Sequence, residues 1–298
     1  MVSIISLGGG CATKDLHEDQ SVEEMGAELL IQDDRSLKEQ QKLAANEEAV
    51  QSKRAAESAS RPVSIKASNL ISKLTLGTSN EGRPIEYFRI DPPGVSAANA
   101  DGGVILIFAG IHGNEPTTTV VAEKLVELLT AEPGLLNGVK SSLVIIPAMN
   151  PDGLERKRRT NARGVDLNRN FPAQNWKPTP RGMAWTGPSA LSEPESTLLH
   201  GFVNEQKPKR ILSIHSIARG RHGVNFDGPG LEIAQVMARE NGYRVLETMG
   251  YPTPGSFGSW AGVDLQIPTI TLELISAQPG VGAWEDNKKA ILAFIQSE

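Results

Sequence analysis

From residue 62 to the C-terminus, short apolar runs alternate with stretches whose apolar residues recur every three or four positions. The runs at 64–76, 85–90, 104–108, 143–147, 210–214 and 269–274 have strand length and are rich in Val, Ile, Leu and Thr. The stretches 117–130, 193–205, 231–241 and 284–296 keep helical spacing. A run such as Val104-Ile-Leu-Ile-Phe108 is apolar on both faces, which a strand needs only where layers cover it from both sides. Strands of that kind separated by helices predict an α/β fold: a mixed, centrally parallel sheet with helices on both faces. No internal repeat is visible.

Before residue 62 this pattern fails. Residues 12–61 are rich in Glu, Gln, Lys, Asp and Ala and hold no aromatic residue. Ser21 with Glu24 makes a capping box for a helix through residues 28–31. Beyond Asp34 few apolar positions remain to dock, so the segment reads as a charged tether, helical or disordered. Residues 1–11 form a third unit, ending Gly8-Gly-Gly-Cys11. It resembles the tail of a truncated lipoprotein signal, in which the cysteine becomes a lipid anchor, but the usual basic start and longer apolar segment are missing. Two readings of Cys11 therefore stand. A real signal implies the cell envelope, on the periplasmic side, and a chance likeness leaves the protein in the cytoplasm. The catalytic domain is expected to span 62–298.

Composition narrows the field a little. A net charge of −5 across 298 residues disfavours nucleic acid as a partner, because phosphate binding wants a basic surface. Cys11 is the only cysteine, so the fold stands without an internal disulfide. The longest apolar runs fall short of a membrane span.

The chemistry-bearing residues gather where strands end. In open α/β sheets, ligands bind at the carboxyl ends of the strands. His112 and Glu115 follow the run at 104–108, His215 follows 210–214, and Glu273 lies inside the last apolar run. An imidazole and a carboxylate on one turn can share a metal ion, and a catalytic zinc usually takes three protein ligands. His222 is the rival third ligand, but it stands in a Gly- and Arg-rich loop; His17 and His200 read as surface residues. A carboxylate buried in an apolar strand is costly unless paired or functional. Asn150-Pro-Asp-Gly153 reads as a turn. Residues 156–172 are dense in Arg and Asn, and Asn168 next to Arg169 suits capture of a carboxylate.

Taken in order, His112-x-x-Glu115, Asn150-Pro-Asp-Gly153, Gly164-Val-Asp-Leu-Asn-Arg-Asn-Phe171, Ser192-Glu-Pro-Glu195, Ser213-Ile-His215 and Thr271-Leu-Glu273 resemble the zinc carboxypeptidase family. Arg159-Thr-Asn-Ala-Arg-Gly-Val-Asp166 and Tyr251-Pro-Thr-Pro-Gly-Ser-Phe-Gly-Ser-Trp260 resemble its compact bacterial branch, the murein peptide amidases. The resemblance implies one zinc ion held by His112, Glu115 and His215, with Glu273 as general base. It implies Arg159 as the group that polarises the scissile carbonyl. Asn168 and Arg169 would grip the free carboxylate of the released residue, and Tyr251 would close over the substrate. It also implies a peptide substrate, cut at the γ-D-glutamyl–diaminopimelate bond of murein peptides. Three other readings remain: a general metallocarboxypeptidase, an N-acyl amino acid amidohydrolase similar to aspartoacylase, and a peptidoglycan-binding pseudoenzyme.

Two positions depart from the family's larger members. Asn114 stands where they place an arginine, and Gly258 stands where a side chain sets preference for the released residue. No charge preference can be read from a glycine. Arg221 and Asp227, past His215, read either as contacts for a distal amine and carboxylate or as two exposed loop charges.

Overall fold

The computed structural model describes residues 71–95, 103–182 and 184–297. The expected signal, Cys11, the tether with its capping box, and residues 64–70 of the first expected strand lie outside these residues. Eight strands form one sheet: β1 (Ile71–Thr78), β2 (Pro84–Ile90), β3 (Val104–Ala109), β4 (Ser142–Ile146), β5 (Arg210–Ile217), β6 (Gly223–Asp227), β7 (Val245–Leu246) and β8 (Thr269–Ile275). Their order is β1-β2-β4-β3-β5-β8-β6-β7. The central four, β4-β3-β5-β8, run parallel, whereas β1, β2 and β6 join antiparallel. The expected mixed, centrally parallel α/β sheet is what forms.

Alternation along β3 explains how both faces are covered. Ile105, Ile107 and Ala109 enter a core with helices α1 (Pro116–Ala131), α4 (Leu231–Asn241) and α5 (Gly280–Gln296). Val104, Leu106 and Phe108 enter a second core with Leu199, Phe202 and Val203 of helix α3 (Pro194–Gln206) and with Phe171, Phe257 and Trp260. Each buried aliphatic side chain of this kind contributes about 1.5–3 kcal/mol, so a strand apolar throughout is worth most in the centre.

Three local expectations need correction. Asn150-Pro-Asp-Gly153 is not a bare turn: Asn150 accepts a hydrogen bond from Gly153 N at 2.9 Å and caps a short helix, α2 (Pro151–Glu155). β6 and β7 were unforeseen; Gly223-Val-Asn-Phe-Asp227 is short and half polar, and becomes a strand by pairing with β8. Helix α5 begins at Gly280, four residues before the expected 284, because Pro279 ends the preceding turn and a glycine-rich first turn carries no apolar signal.

Why two motifs contain glycine is clear from their contact. A Cβ on Gly113 would stand 1.9 Å from the backbone carbonyl carbon of Gly153, so the turn carrying His112 and Glu115 packs backbone to backbone on α2. Asn150 Nδ2 also donates to Ile111 O at 3.1 Å. The tertiary contact, rather than either sequence alone, fixes where His112 stands. Among the described residues, no helix is long and apolar enough to cross a membrane.

Candidate metal centre and substrate cavity

One cavity of about 340 Å³ opens at the carboxyl edge of the central strands. All eight predicted site residues line it: His112, Glu115, Arg159, Asn168, Arg169, His215, Tyr251 and Glu273. Glu115 is the N-cap residue of α1, but its side chain does not cap the helix. Instead Oε1 lies 2.8 Å from His112 Nδ1, and Oε2 lies 3.4 Å from His215 Nδ1 and accepts from Ser216 N at 2.9 Å. The ligand atoms of His112, Glu115 and His215 all fall within 4.8 Å of one another, and all three residues are buried. Two donors about 2.1 Å from one zinc at a tetrahedral angle are about 3.4 Å apart, so the spacing and the two-nitrogen, one-carboxylate donor set fit a catalytic zinc.

His222 is excluded from this group. Its ring packs edge-on against Tyr243 with centroids 4.7 Å apart, and its Nδ1 accepts from Gly220 N at 3.1 Å. His200 lies over Trp260, near the surface. Among the described residues, His112, Glu115 and His215 form the one cluster able to hold a metal.

Asp166 belongs to the site although its residue type and position alone give it no role. It is fully buried, and its Oδ1 lies 3.1 Å from His112 Nε2 and accepts from Asn168 N at 3.0 Å. Its Oδ2 accepts from Arg159 Nε at 3.0 Å. A carboxylate on the far nitrogen of a metal-binding imidazole orients the ring and strengthens it as a ligand. The same carboxylate aims Arg159 at the metal site, since that guanidinium also lies 3.6 Å from Glu115. The signal was present in Val165-Asp-Leu167, a charge between two apolar neighbours.

The flanking loop is held from behind. Asn161 Nδ2 donates to Glu193 at 2.7 Å, and Asn161 Oδ1 accepts from Val165 N at 3.0 Å. Glu193 and Glu195 are fully buried at the start of α3 and both accept from Asn80 and Asn161 side chains.

Electrostatics divide the acids into two classes. Burial works against charge on Glu115 and Asp166, but His112 with His215 in one case, and His112 with Arg159 in the other, outweigh it. Both carboxyls sit well below the usual range. Burial also works against a charged His112, yet Glu115 and Asp166 outweigh it and raise the imidazole to about 9. Glu273 goes the other way: burial, then the charge of Glu115, raises its pKa despite His215, His112 and Arg159. No hydrogen bond to its carboxylate forms among the described residues. It is a buried base with a free lone pair.

A protonated His112 has to lose its proton before Nδ1 can ligate. Zinc uptake by the metal-free protein near neutral pH is therefore expected to release about one proton. Apparent affinity is expected to rise about tenfold per pH unit until His112 titrates at about 9, then level off. Calorimetry in buffers of different ionisation enthalpy measures this; a proton count of zero would show His112 to be neutral already.

A second pair faces the cavity from the short 3₁₀ turn Leu167–Arg169. Asn168 Oδ1 accepts from Phe257 N at 2.8 Å, which fixes the amide so that Nδ2 is left for a ligand. Arg169 is buried, and among the described residues its side chain makes one hydrogen bond, to Asn168 O at 2.6 Å. Burial and Arg159 act against its charge while Asp166 supports it. A guanidinium with five donors and one partner awaits an anion. Tyr251 is 41% exposed, with the Arg221 guanidinium 5.3 Å from its ring centroid. Exposed on a loop at the cavity mouth, it is free to change position without disturbing the core. Of the two charges past His215, Arg221 is exposed in the loop, but Asp227 ends β6 and is partly buried.

A buried His-Glu-His cluster at the carboxyl edge of a centrally parallel sheet, with an unpaired carboxylate beside it, defines a metallohydrolase. Comparison with known proteins makes the class specific. The family model for zinc carboxypeptidases matches residues 57–220, and the chain belongs to that family. It is a zinc-dependent hydrolase of metallocarboxypeptidase type. Murein peptide amidase A of Escherichia coli (strain K12) is 32% identical over 234 residues, covering 73% of this chain and 86% of that protein. The crystal structure of murein-tripeptide amidase from Escherichia coli O157 is 27% identical with a TM-score of 0.58, covering 76% of this chain and 92% of that one. Carboxypeptidase A from Helicoverpa armigera shares the fold, with a TM-score of 0.63 at 22% identity over 77% of this chain and 69% of that one.

Proposed function

We propose that this protein is an exopeptidase that cleaves the γ-D-glutamyl–diaminopimelate bond of murein peptides and releases the C-terminal residue. The observation that carries the exopeptidase part is Arg169, a buried, under-partnered cation in the same cavity as the ligand cluster. The murein part is supported by the 32% identical relative named murein peptide amidase A.

Each residue has a part that follows from its environment. The free carboxylate of the substrate sits on Arg169 and on Asn168 Nδ2, which sets the register so that the last amide bond meets the metal site. Only a chain end offers that group. His112, Glu115 and His215 would hold the zinc ion, which when bound would supply Lewis-acid chemistry and lower the pKa of water at the site. Glu273 takes the proton from the attacking water and returns it to the leaving amine. Its raised pKa suits both directions of transfer. Arg159, aimed by Asp166, meets the charge that grows on the carbonyl oxygen, a contribution of about 3 kcal/mol for one such donor. Tyr251 closes over the bound substrate from the mouth.

Purified protein with zinc, given L-Ala-γ-D-Glu-diaminopimelate, a hippuryl peptide and N-acetyl-aspartate, is expected to release diaminopimelate from the first. Turnover of the hippuryl peptide alone would sink the murein reading in favour of a general carboxypeptidase. Turnover of the acyl amino acid alone would favour an amidohydrolase, and no turnover at all a peptidoglycan-binding role.

A further inference from the structure

The opposite edge of the sheet carries a cavity of its own, of about 450 Å³. Strands β4, β3 and β5 run parallel, so their amino ends share one edge, away from His112, Glu115 and His215. The cavity lies between the loop 137–141 that leads into β4, the start of β5 and the end of helix α5. From Arg210, at this edge, to His215 is five residues of strand, about 17 Å. A ligand here would leave the catalytic cavity open.

The charge of this cavity is one-sided. Lys140, Lys209 and Arg210 line it, and no acidic residue does among those described. Neither lysine forms an ion pair among the described residues. Lys209 is laid across the start of β3, where a Cβ on Gly103 would stand 3.4 Å from its Cε. Because β3 lies between β5 and β4, that course leads toward the strand that Lys140 precedes. Arg210 is 8% exposed; its Nε donates to Phe294 O at 2.9 Å and its Nη2 to Ile295 O at 2.6 Å. Those bonds cap the last turn of α5 and account for two of the three nitrogens. Nη1 has no hydrogen-bond partner among the described residues, yet it is not sealed from solvent. Burial acts against the charge of this guanidinium, and no described carboxylate answers it. A buried cation is costly to hold without a counter-charge.

We infer that this edge is a second binding site, one that takes a phosphate group on Arg210 Nη1 and the ammonium groups of Lys140 and Lys209. Guanidinium and ammonium groups are donors only, so the site accepts nothing but acceptors. Three positive charges match a phosphate dianion better than a single carboxylate, and both side-chain types bind phosphate well. Water alone would satisfy the two lysines, as it does on any surface. It leaves uncompensated the guanidinium that the fold buries beside them.

The test uses the full-length zinc protein and two sources of phosphate: inorganic phosphate, followed by calorimetry at fixed ionic strength, and vesicles of phosphatidylglycerol set against phosphatidylcholine, followed by co-sedimentation. Arg169 offers an anion a place in the catalytic cavity, so binding is measured in an Arg169→Ala background with and without Lys140→Ala and Lys209→Ala. Both lysines are exposed, so the fold should tolerate their loss, and an unchanged Tm checks this. Removing both is expected to weaken phosphate binding about 100-fold, tenfold for each charge-assisted contact. With Arg169 in place, the same double substitution should leave kcat/KM on peptides unchanged. Lysine-dependent binding of inorganic phosphate supports the site with a soluble ligand. Lysine-dependent binding of phosphatidylglycerol vesicles alone supports it with a lipid headgroup. Phosphate and vesicle binding that ignore the lysines, or that vanish with Arg169→Ala alone, overturn the inference, as does binding of neither.

Discussion

Glu273→Gln is expected to lower kcat/KM roughly 10³- to 10⁴-fold while zinc stays bound. Glutamine keeps the shape of the side chain and cannot accept a proton. Zinc content should be unchanged, because the cluster able to hold the metal is His112, Glu115 and His215. The pH profile carries a second signature. Wild-type kcat/KM should fall as pH drops through the pKa of Glu273, which burial places above the ordinary glutamate value of 4.5. Stability gives a third. A carboxyl whose folded pKa is raised costs stability above that pKa, and the cost is absent below the unfolded value. In the metal-free protein near neutral pH, Glu273→Gln should therefore raise Tm. Retained activity, or zinc lost with the substitution, would remove Glu273 from the role of base.

Arg169→Ala is the second large effect, expected at about 10³-fold in kcat/KM on substrates with a free terminal carboxylate. The informative comparison is with the same peptide carrying a terminal amide. Wild type should discriminate strongly between the two, and the variant should hardly discriminate, because the group that reads the carboxylate is gone. Arg169→Lys should recover part of the loss: it keeps the charge but not the planar fork. Equal losses on carboxylate and amide substrates would mean that Arg169 only supports the fold. Burial of a cation with one protein hydrogen bond makes the ligand-reading role the stronger expectation, since an arginine kept for structure would have its donors filled.

How much of this was legible before the fold was known varies residue by residue. The central strands were plain because each is apolar throughout. His112, Glu115, His215 and Glu273 were found by residue type and by position at strand ends, and the cavity holds all four. Asp166 was visible as an odd charge between Val165 and Leu167, but its partner His112 lies 54 residues away. Such a contact leaves no local periodicity. Asp227 was legible as a charge past His215, yet a five-residue strand gave no reason to place it in the cavity lining. Asn150-Pro-Asp-Gly153 was read correctly in composition and wrongly in conformation, since Pro151 at the first helical position suits a helix start as well as a turn.

The sequence by itself determined which side chains have the chemistry to bind a metal, accept a proton or pair with a carboxylate, and that they stand near strand ends. These follow from side-chain type and from the rule that open sheets work at their carboxyl edge. Tertiary structure alone decided that Asp166 links His112 to Arg159, and that Gly113 must be glycine because Gly153 lies against it. It also decided that Asp227, at the end of β6, lines the same cavity as His112, Glu115 and His215. Each of these depends on strands and loops distant in the chain meeting at one edge, and pairing between distant segments is set by packing and register, which no short stretch of sequence contains.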